Sequence, residues 1–154
     1  MINLLFICHG NICRSPMAEF IMKDLLQKAG MADRVYVASA ATSTEEIGNP
    51  VYPPARRELA KHGIFCDGKS ARQMTRQDYD TFDYLIAMDR NNLRNMQRFV
   101  GNDPQGKVSL LLSHTSRPGD VADPWYTGDF TATWNDILLG CQALLRELCP
   151  EVPL

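Results

Sequence analysis

Four apolar runs of strand length recur along this chain of 154 residues, and they contain few polar residues. Strands with one face in water alternate apolar and polar residues, whereas strands that are covered on both faces are continuously apolar. The four runs lie at 2–7, 35–40, 84–88 and 108–112. We therefore expect a parallel sheet with helices on both faces.

Helical periodicity fills most of the sequence between these runs. The clearest helix has an apolar stripe over 18–29, and we expect Ser15 as its N-cap, Pro16 as its first residue and Gly30 beyond its end. Further helices are expected at about 53–63, 89–100 and 129–148. Strands that alternate with helices predict an α/β fold, with a doubly wound, four-stranded parallel sheet flanked by helices.

Two segments, 42–52 and 113–128, show neither periodicity. Each follows a predicted strand, and ligands of doubly wound sheets bind beyond the carboxyl ends of the strands. We therefore expect residues of the site in both segments. The length, the hydrophobic content of 45% and the lack of a linker or repeat predict a single domain over 1–154.

Charge and cysteine usage exclude several classes of protein. The net charge is −2, so we expect no nucleic-acid partner and no attraction to an anionic membrane. No apolar run approaches the roughly 20 residues of a membrane span, and we expect the N-terminal run to be a strand and not a signal peptide. Five cysteines without zinc-type spacing suit reduced thiols, which predicts a cytoplasmic location.

The first apolar run leads directly into a loop that a helix follows. This loop, which we call the signature loop, comprises residues 8–15 with the sequence CHGNICRS. A short loop between a strand and a helix N-terminus directs backbone N–H groups and the positive end of the helix dipole at one point, which favours an anion. The residues that we expect to bind phosphate are His9, Gly10, Asn11, Ile12, Cys13, Arg14 and Ser15.

Cys8 lies at the base of the signature loop. Gly10 and Asn11 tolerate left-handed backbone conformations, so the loop can curl with its amides inward. Arg14 supplies a planar pair of donors for two phosphate oxygens. The amides, the helix dipole and Arg14 favour a thiolate at Cys8. A cysteine at a strand end is ordinarily an inert core residue, but these surroundings predict a nucleophile.

The sequence CHGNICRSP, beginning at the end of the N-terminal strand, resembles the signature of the low-molecular-weight protein tyrosine phosphatases. The motifs AEF, SAATS, HGI, ARQ, FDYLIAMD and DPW follow in the order and spacing of that family, at 18–20, 39–43, 62–64, 71–73, 82–89 and 123–125. The resemblance covers nearly the whole chain. It implies hydrolysis of phosphotyrosine in protein substrates through a phosphocysteine intermediate, with the phosphate-binding loop after strand one.

Hydrolysis of a phosphate ester also needs a carboxylic acid that protonates the leaving oxygen. Asp123, in the second aperiodic segment, is our candidate, and Asp120 and Asp129 are its local rivals. The resemblance implies that Asp123 acts as general acid in the first step and as general base in the second. The expected catalytic residues are therefore Cys8, Arg14 and Asp123.

The resemblance also implies a hydrogen-bond network that supports the signature loop, formed by Asn11, Ser15 and Ser39. The family has a histidine where Lys69 stands, so either Lys69 substitutes for it or the network lacks one member. Cys13 matches a second loop cysteine of the family, which can form a reversible disulfide with the nucleophile. The alternative for Cys13 is a small packing residue.

We expect the wall of the substrate pocket to include His9, Glu45, Trp125 and Tyr126. Family members often have an aliphatic residue in place of the first and an aromatic residue near the second, so the chain departs from the family here. Trp125 and Tyr126 can flank a flat aromatic substrate. Ile12 favours phosphotyrosine, because a similar branch, the protein arginine phosphatases, has threonine there.

Two other functions compete with this interpretation. A thiol-linked arsenate reductase uses a similar loop but needs a further cysteine pair, and Cys66, Cys141 and Cys149 are not closely paired. A phosphotyrosine-binding module without activity could share the fold, although such decay usually removes the nucleophile, the arginine or the acid. We expect no metal, no organic cofactor and a monomer, and we expect arginines such as Arg72 to solvate helix faces.

Overall fold

The computed structural model describes residues 1–151, in which a four-stranded parallel sheet carries helices on both faces. The strands are β1 (Ile2–Cys8), β2 (Val35–Ala41), β3 (Tyr84–Ala87) and β4 (Val108–Leu110), in the spatial order β2-β1-β3-β4. The helices are α1 (Arg14–Lys28), α2 (Pro53–Lys61), α3 (Arg76–Thr81), α4 (Arg90–Val100), α5 (Pro124–Thr127) and α6 (Phe130–Leu148), and a 3₁₀ helix spans Leu111–His114. This strand order is that of a doubly wound fold, as the sequence predicts.

The side chains of β1 point alternately into two separate cores. Leu4, Phe6 and Cys8 belong to a core that includes residues of α1 and α6, whereas Leu5 and Ile7 belong to a core that includes residues of α3 and α4. None of these five side chains is more than 4% exposed. Burial on both faces explains why the strand is continuously apolar and lies inside the sheet.

Helix α1 begins earlier than the sequence predicts. Cys13 occupies its N-cap without a side-chain hydrogen bond and Arg14 is its first residue, so the prediction of Ser15 as the N-cap is wrong. The Ser15 hydroxyl contacts two other residues of the signature loop instead of capping the helix. Ser15 is a residue type that favours the N-cap, but here its hydroxyl forms hydrogen bonds inside the signature loop.

The other predicted helices are confirmed within a few residues, and α3 and α5 are additional. Both additional helices are too short to show a periodic apolar stripe. The predicted strand at 108–112 ends at Leu110, because Leu111 and Leu112 begin the 3₁₀ helix with their side chains in the core that α6 shares. Because both leucines are buried, the sequence of this helical turn is as apolar as that of a buried strand. No helix within residues 1–151 is long and apolar enough to cross a membrane.

The signature loop leaves the sheet at the carboxyl end of β1. Cys8 pairs with Ala41, the last residue of β2, and Ile7 pairs with Ala87, the last residue of β3. The carboxyl ends of these strands therefore lie at one edge of the sheet, which brings the segment 42–52 and the residues after β3 to the signature loop.

Candidate active site

Three carbonyl groups of the signature loop are held by hydrogen bonds from outside the loop. They accept hydrogen bonds from the segment 42–52, with Thr42 N donating to Cys8 O (3.0 Å), Ser43 N to His9 O (3.1 Å) and Tyr52 N to Ile12 O (2.9 Å). In a trans peptide unit the carbonyl of one residue and the N–H of the next residue point in opposite directions. Hydrogen bonds that hold these carbonyls outward therefore turn the following N–H groups toward the centre of the loop. The aperiodic segment thus shapes the loop from outside.

The backbone amides of the signature loop converge on its interior. Asn11 N and Ser15 N both donate to Cys8 Sγ, at 3.3 and 3.4 Å. Within residues 1–151, the N–H groups of Gly10, Ile12 and Arg14 have no protein acceptor. Convergent amides at a helix N-terminus form a binding site for an anion.

Asn11 adopts the left-handed conformation that the sequence suggested, with φ of 59°. Its side chain is fully engaged, because Oδ1 accepts from Arg72 N (3.2 Å) and Nδ2 donates to Ser15 Oγ (2.7 Å) and Ser39 Oγ (2.9 Å). Asparagine tolerates this conformation better than most residues, and three side-chain hydrogen bonds stabilise it further. Asn11 therefore fixes the curl of the loop.

A chain of hydrogen bonds runs from a buried carboxylate to the sulfur of Cys8. Ser39 Oγ donates to Glu19 Oε1 (2.6 Å) and accepts from Asn11 Nδ2, whose second N–H reaches Ser15 Oγ. Ser15 Oγ then lies 3.0 Å from Cys8 Sγ. Of the predicted supporting residues, Asn11 thus contacts both Ser15 and Ser39, and Asn11 and Ser15 contact the sulfur.

Lys69 lies next to this chain, at the position where the resemblance implied a histidine. Its Nζ is 3.0 Å from Glu19 Oε1 and donates to the Ser39 carbonyl at 3.3 Å. Burial by itself would raise the pKa of Glu19, but the charge of Lys69 and hydrogen bonds from Lys23 and Ser39 outweigh burial and lower the pKa below 4.5. Lys69 therefore contacts Glu19 and Ser39 at the position where the resemblance implied a histidine.

Arg14 is buried and lies between two carboxylates. Its Nη1 is 2.9 Å from Asp89 Oδ2 and donates to the Val121 carbonyl at 3.0 Å, while Nη2 lies 3.3 Å from Asp123 Oδ2. Its side chain is only 4% exposed. These contacts fix the plane of the guanidinium at the mouth of the signature loop, where its fork can bind two oxygens of a phosphate.

Asp123 reaches the site from the segment between the 3₁₀ helix and α6. It is the N-cap of α5, and its Oδ1 accepts from Trp125 N at 3.1 Å. The preceding residue, Ala122, is held by α6, because Ala122 N donates to Asp136 Oδ2 (3.1 Å) and Thr133 Oγ1 donates to the Ala122 carbonyl (2.9 Å). Hydrogen bonds to the residue before Asp123 and from the backbone after it thus position the Asp123 carboxylate.

The two rival carboxylates have other contacts. Asp129 is the N-cap of α6 and accepts from Ala132 N at 2.9 Å. Asp120 accepts from Arg90 N at 3.2 Å. Neither lines the cavity above the signature loop, whereas Asp123 does. Asp123 is therefore the carboxylate of this segment that can reach a ligand there.

A cavity of about 320 Å³ opens above the signature loop. Its lining comes from the signature loop (Cys8, His9, Gly10, Ile12, Cys13, Arg14) and from the two aperiodic segments (Glu45, Glu46, Asp123, Trp125, Tyr126). Asn11 and Ser15 do not line it and are only 1% and 0% exposed, because the Asn11 side chain contacts Ser15, Ser39 and Arg72 and the Ser15 hydroxyl lies against the Cys8 sulfur. The cavity runs from the buried sulfur to exposed aromatic rings.

Comparison with known proteins identifies the family. The model of the family described as low molecular weight phosphotyrosine protein phosphatase matches residues 3–154. The low molecular weight protein-tyrosine-phosphatase YfkJ of Bacillus subtilis is 41% identical over 153 residues, which cover 98% of each chain. Its crystal structure matches 98% of this chain and 96% of that chain with a TM-score of 0.94. This chain belongs to the low molecular weight phosphotyrosine protein phosphatases.

Two other similar proteins match almost as completely. The low molecular weight phosphotyrosine protein phosphatase of Rattus norvegicus is 38% identical over 150 residues, or 94% of each chain. The crystal structure of DARP, the Drosophila arginine phosphatase, has a TM-score of 0.83 at 30% identity and covers 97% of this chain and 98% of that chain. As a member of this family, the chain is a protein-tyrosine phosphatase, which is a hydrolase.

The wall of the phosphatase cavity contains the two residues that depart from the family pattern. His9 Nε2 lies 2.9 Å from Glu45 Oε2, and both side chains are more than half exposed. Trp125 packs against Tyr52, with ring centroids 5.2 Å apart, while Tyr126 is 85% exposed. The structure thus brings all four predicted wall residues to the cavity.

Cys13 lines the same cavity as Cys8 but differs in its surroundings. Burial raises the pKa of the Cys13 thiol to about 12, and the neighbouring negative charges of Cys8 and Asp123 add to this effect while Arg14 opposes it. The remaining cysteines, Cys66, Cys141 and Cys149, are buried and none of them lines the cavity. Only Cys8 and Cys13 are therefore available to chemistry there.

The site contains residues that sequence reasoning did not assign. Glu19 and Asp89 lie within two motifs quoted for the resemblance, AEF and FDYLIAMD, but neither was given a contact with the site. Glu46 lines the cavity beside Glu45. Arg72 does not lie on a helix face as expected, because it lies between α2 and α3. Its side chain pairs with Asp78 and its amide donates to Asn11 Oδ1. Residues 1–151 contain no group of three or more acidic, histidine or cysteine side chains that could hold a metal ion.

Proposed function

We propose that the chain hydrolyses phosphotyrosine in proteins through a phosphocysteine intermediate on Cys8. The observation that carries this proposal is the position of the Cys8 sulfur, within 3.4 Å of two amides and one hydroxyl oxygen of the signature loop. Donors directed at a sulfur atom stabilise a thiolate, which is the nucleophilic form. Arg14 and Asp123 line the same cavity as this sulfur.

In the first step, the Cys8 thiolate attacks phosphorus and the bond between phosphorus and the tyrosine oxygen breaks. Arg14 and the inward amides of the signature loop bind the phosphoryl oxygens, which carry the charge of the transition state. The Asp123 carboxyl group donates its proton to the leaving phenolate oxygen. The products of this step are tyrosine and an S-phosphorylated Cys8.

In the second step, water attacks the phosphocysteine. Asp123, now a carboxylate, accepts a proton from the water while the bond between sulfur and phosphorus breaks. Inorganic phosphate leaves and the Cys8 thiolate is regenerated, so the cycle needs no other reactant. The same donors that stabilise the thiolate in the first step stabilise it as a leaving group in the second.

The shape of the cavity supports phosphotyrosine as the substrate. Cys8 is 4% exposed at the base, whereas Trp125 and Tyr126 are 58% and 85% exposed at the mouth. A phosphate on a long aromatic side chain can reach the base while its peptide stays outside, and flat rings at the mouth can contact the substrate ring. A phosphoserine peptide would have to bring its backbone into the cavity to present its phosphate to Cys8.

Ile12 supports phosphotyrosine over phosphoarginine. Its side chain is part of the cavity lining, and an apolar side chain disfavours the polar guanidinium group of phosphoarginine while it tolerates an aromatic ring. The structurally similar Drosophila protein is described as an arginine phosphatase, so phosphoarginine is the rival substrate for this chain. Both phosphorylated residues, the phosphotyrosine ester and the phosphoarginine phosphoramidate, therefore belong in the same experiment.

We also propose roles for the remaining predicted residues. Glu45 and His9 line the mouth as a polar pair and contact residues of the substrate that flank phosphotyrosine. Cys13 forms a reversible disulfide with Cys8 when the enzyme is oxidised, because both line one cavity. The chain acts as a single domain, as a monomer and in the cytoplasm, where its five free cysteines stay reduced.

The experiment that tests this function compares phosphate release from three matched peptides that contain phosphotyrosine, phosphoserine or phosphoarginine. We expect selective cleavage of the phosphotyrosine peptide by the wild type, no turnover by Cys8→Ser, and near wild-type turnover by Cys66→Ser, which removes a cysteine outside the cavity. Phosphate release from the phosphoarginine peptide alone would show that phosphoarginine, and not phosphotyrosine, is the substrate. Turnover by Cys8→Ser would contradict the mechanism.

A further inference from the structure

Ser109, His114 and Glu147 form a hydrogen-bonded series away from the phosphatase cavity. Ser109 Oγ lies 2.7 Å from His114 Nε2, and His114 Nδ1 lies 2.7 Å from Glu147 Oε1. None of the three residues lines the cavity above the signature loop, so the phosphatase steps make no use of them. A serine, a histidine and a carboxylate in this order have the arrangement of the catalytic triad of serine hydrolases.

The carboxylate of Glu147 fixes which nitrogen of His114 carries the proton. A carboxylate can only accept hydrogen bonds, so the hydrogen between His114 Nδ1 and Glu147 belongs to Nδ1. The Nε2 atom of the neutral ring then has a free lone pair, which accepts from the hydroxyl of Ser109. In this tautomer the ring is a general base for the hydroxyl proton, as a serine nucleophile requires.

The packing of the 3₁₀ helix on α6 holds the histidine in this position. Leu111, the first residue of the 3₁₀ helix, is fully buried and lies against Gly140 of α6 so closely that a Cβ at Gly140 would collide with it. Glu147 follows Gly140 by seven residues, or two helical turns, and therefore lies on the same face of α6. The close approach at Gly140 thus brings the 3₁₀ helix onto this face, where His114 reaches Glu147.

A backbone N–H group next to Ser109 is placed to bind an oxyanion. Strand β4 lies at the edge of the sheet, and Val108 N donates to Asp103 Oδ2 instead of to β3. Successive N–H groups of a strand point to opposite sides, so the N–H of Leu110 points to the same open edge as that of Val108. In the α/β-hydrolases the N–H of the residue after the nucleophile is an oxyanion donor. The N–H of Leu110 can therefore stabilise negative charge that develops beside Ser109.

The charges around these residues favour a carboxylic ester over a phosphate ester. Among the residues that the structure describes, no arginine or lysine forms an ion pair with Glu147. A phosphate monoester would bring its negative charge close to this carboxylate, whereas a carboxylic ester is uncharged. The side chain of Glu147 is 46% exposed and Ser109 is partly exposed, so a small ester can reach the serine from solvent.

We propose that Ser109, His114 and Glu147 are a second nucleophilic site, which hydrolyses small carboxylic esters. The Ser109 oxygen attacks the carbonyl carbon while its proton passes to His114 Nε2. The bond from that carbon to the alcohol oxygen then breaks, the alcohol leaves with the proton from His114, and the acyl group stays on Ser109. Water attacks the acyl-serine by the same route, which releases the carboxylic acid and restores the hydroxyl group.

The first test measures labelling of the wild type by an alkyl fluorophosphonate, whose fluoride a reactive serine oxygen displaces. We expect one phosphonyl group per chain, placed on Ser109 by peptide fragmentation, and no label in Ser109→Ala. His114→Gln and Glu147→Gln should slow the labelling at least about tenfold, because the base is lost or loses its orientation. Ser113→Ala is the matched control, since Ser113 is an exposed serine nearby whose hydroxyl donates to a backbone carbonyl, and it should label at the wild-type rate.

The second test measures hydrolysis of para-nitrophenyl acetate by Cys8→Ala, in which the reactive thiol of the signature loop is absent. Adding Ser109→Ala to this variant should lower the rate at least about tenfold. Circular dichroism and thermal unfolding confirm that each variant is folded. Labelling of His114→Gln at the wild-type rate, a label on other residues alone, or an unchanged acetate rate without Ser109 would overturn the inference. No readout uses phosphotyrosine, so the outcome is independent of the proposed function.

Discussion

The guanidinium of Arg14 lies 3.3 Å from the carboxylate of Asp123, although the two residues are 109 positions apart in the chain. Arg14 belongs to the signature loop and Asp123 to the segment that α6 anchors, so the fold joins the phosphate-binding group to the acid that the mechanism needs. This contact places the carboxylate beside the point at which Arg14 can bind a phosphate. A leaving oxygen bound there is within reach of Asp123.

Asp123→Asn tests the general acid. We expect kcat for phosphotyrosine to fall roughly a hundredfold or more, because the phenolate then leaves without a proton. The loss should be smaller for the first step of an activated ester such as para-nitrophenyl phosphate, whose leaving group needs no proton. Single-turnover release of the two phenols measures this difference. Asp120→Asn is the control, and an equal loss for both esters would assign the acid to another group.

Asn11→Ala and Asn11→Gly separate the two contributions of Asn11. Both remove three side-chain hydrogen bonds, and we expect Asn11→Ala to lower the free energy of unfolding by about 2–4 kcal/mol. Asn11→Gly accepts a φ of 59° without a side chain, so it should recover about 1 kcal/mol of that loss. Neither should recover kcat, because both lack the donor to Ser15. Urea unfolding and steady-state kinetics measure the two effects, and wild-type kcat in Asn11→Gly would limit the role of Asn11 to backbone shape.

Glu19→Gln should change the dependence of stability on pH. The pKa of Glu19 is lower in the folded protein than the ordinary value of 4.5, so its ionisation stabilises the fold above that value and this contribution disappears as the pH falls through the folded pKa. We expect the variant to be about 1–3 kcal/mol less stable than the wild type at pH 7, because its neutral amide satisfies the buried hydrogen-bond partners less well. Urea unfolding should show this gap closing below pH 4.5. A gap that is constant over this range would mean that the charge of Glu19 does not stabilise the fold.

Cys13→Ser tests the proposed redox role. Hydrogen peroxide converts the Cys8 thiolate to a sulfenic acid, and the Cys13 thiol then displaces water to form a disulfide that dithiothreitol reduces. Because the pKa of Cys13 is about 12, Cys13 is a thiol at neutral pH and is not itself the first target. We expect activity to return with dithiothreitol in the wild type but not in Cys13→Ser, where oxidation continues to the sulfinic acid. Full recovery in the variant would assign Cys13 to packing.

Much of the fold could be predicted because its signals are local. The apolar run of β1 and the helical stripe of α1 each come from consecutive residues, and burial on both faces of the sheet leaves a continuous apolar sequence. The end of β4 was misplaced for the same reason, since Leu111 and Leu112 are buried in a 3₁₀ helix as completely as in a strand. Burial alone does not distinguish the two structures.

The supporting residues of the site were harder to predict because their surroundings are not local. Glu19 resembles a solvated helix residue in the sequence, and its burial depends on Ser39 and Lys69, which come from β2 and from the loop after α2. Asp89 was expected only near the start of a helix, yet it also contacts Arg14. A sequence shows which residues can ionise, but the fold decides which of them meet.

The most direct test of the account is to look for phosphate on Cys8 itself. Wild type and Asp123→Asn are mixed with para-nitrophenyl phosphate, quenched in acid within the first turnover and examined by peptide mass spectrometry. We predict the mass of one phosphoryl group on the peptide that contains Cys8, with more of it in Asp123→Asn because the variant lacks the base for the second step. Phenol release from an active enzyme with no phosphate on Cys8 at any quench time, or with phosphate on another residue, would contradict the account.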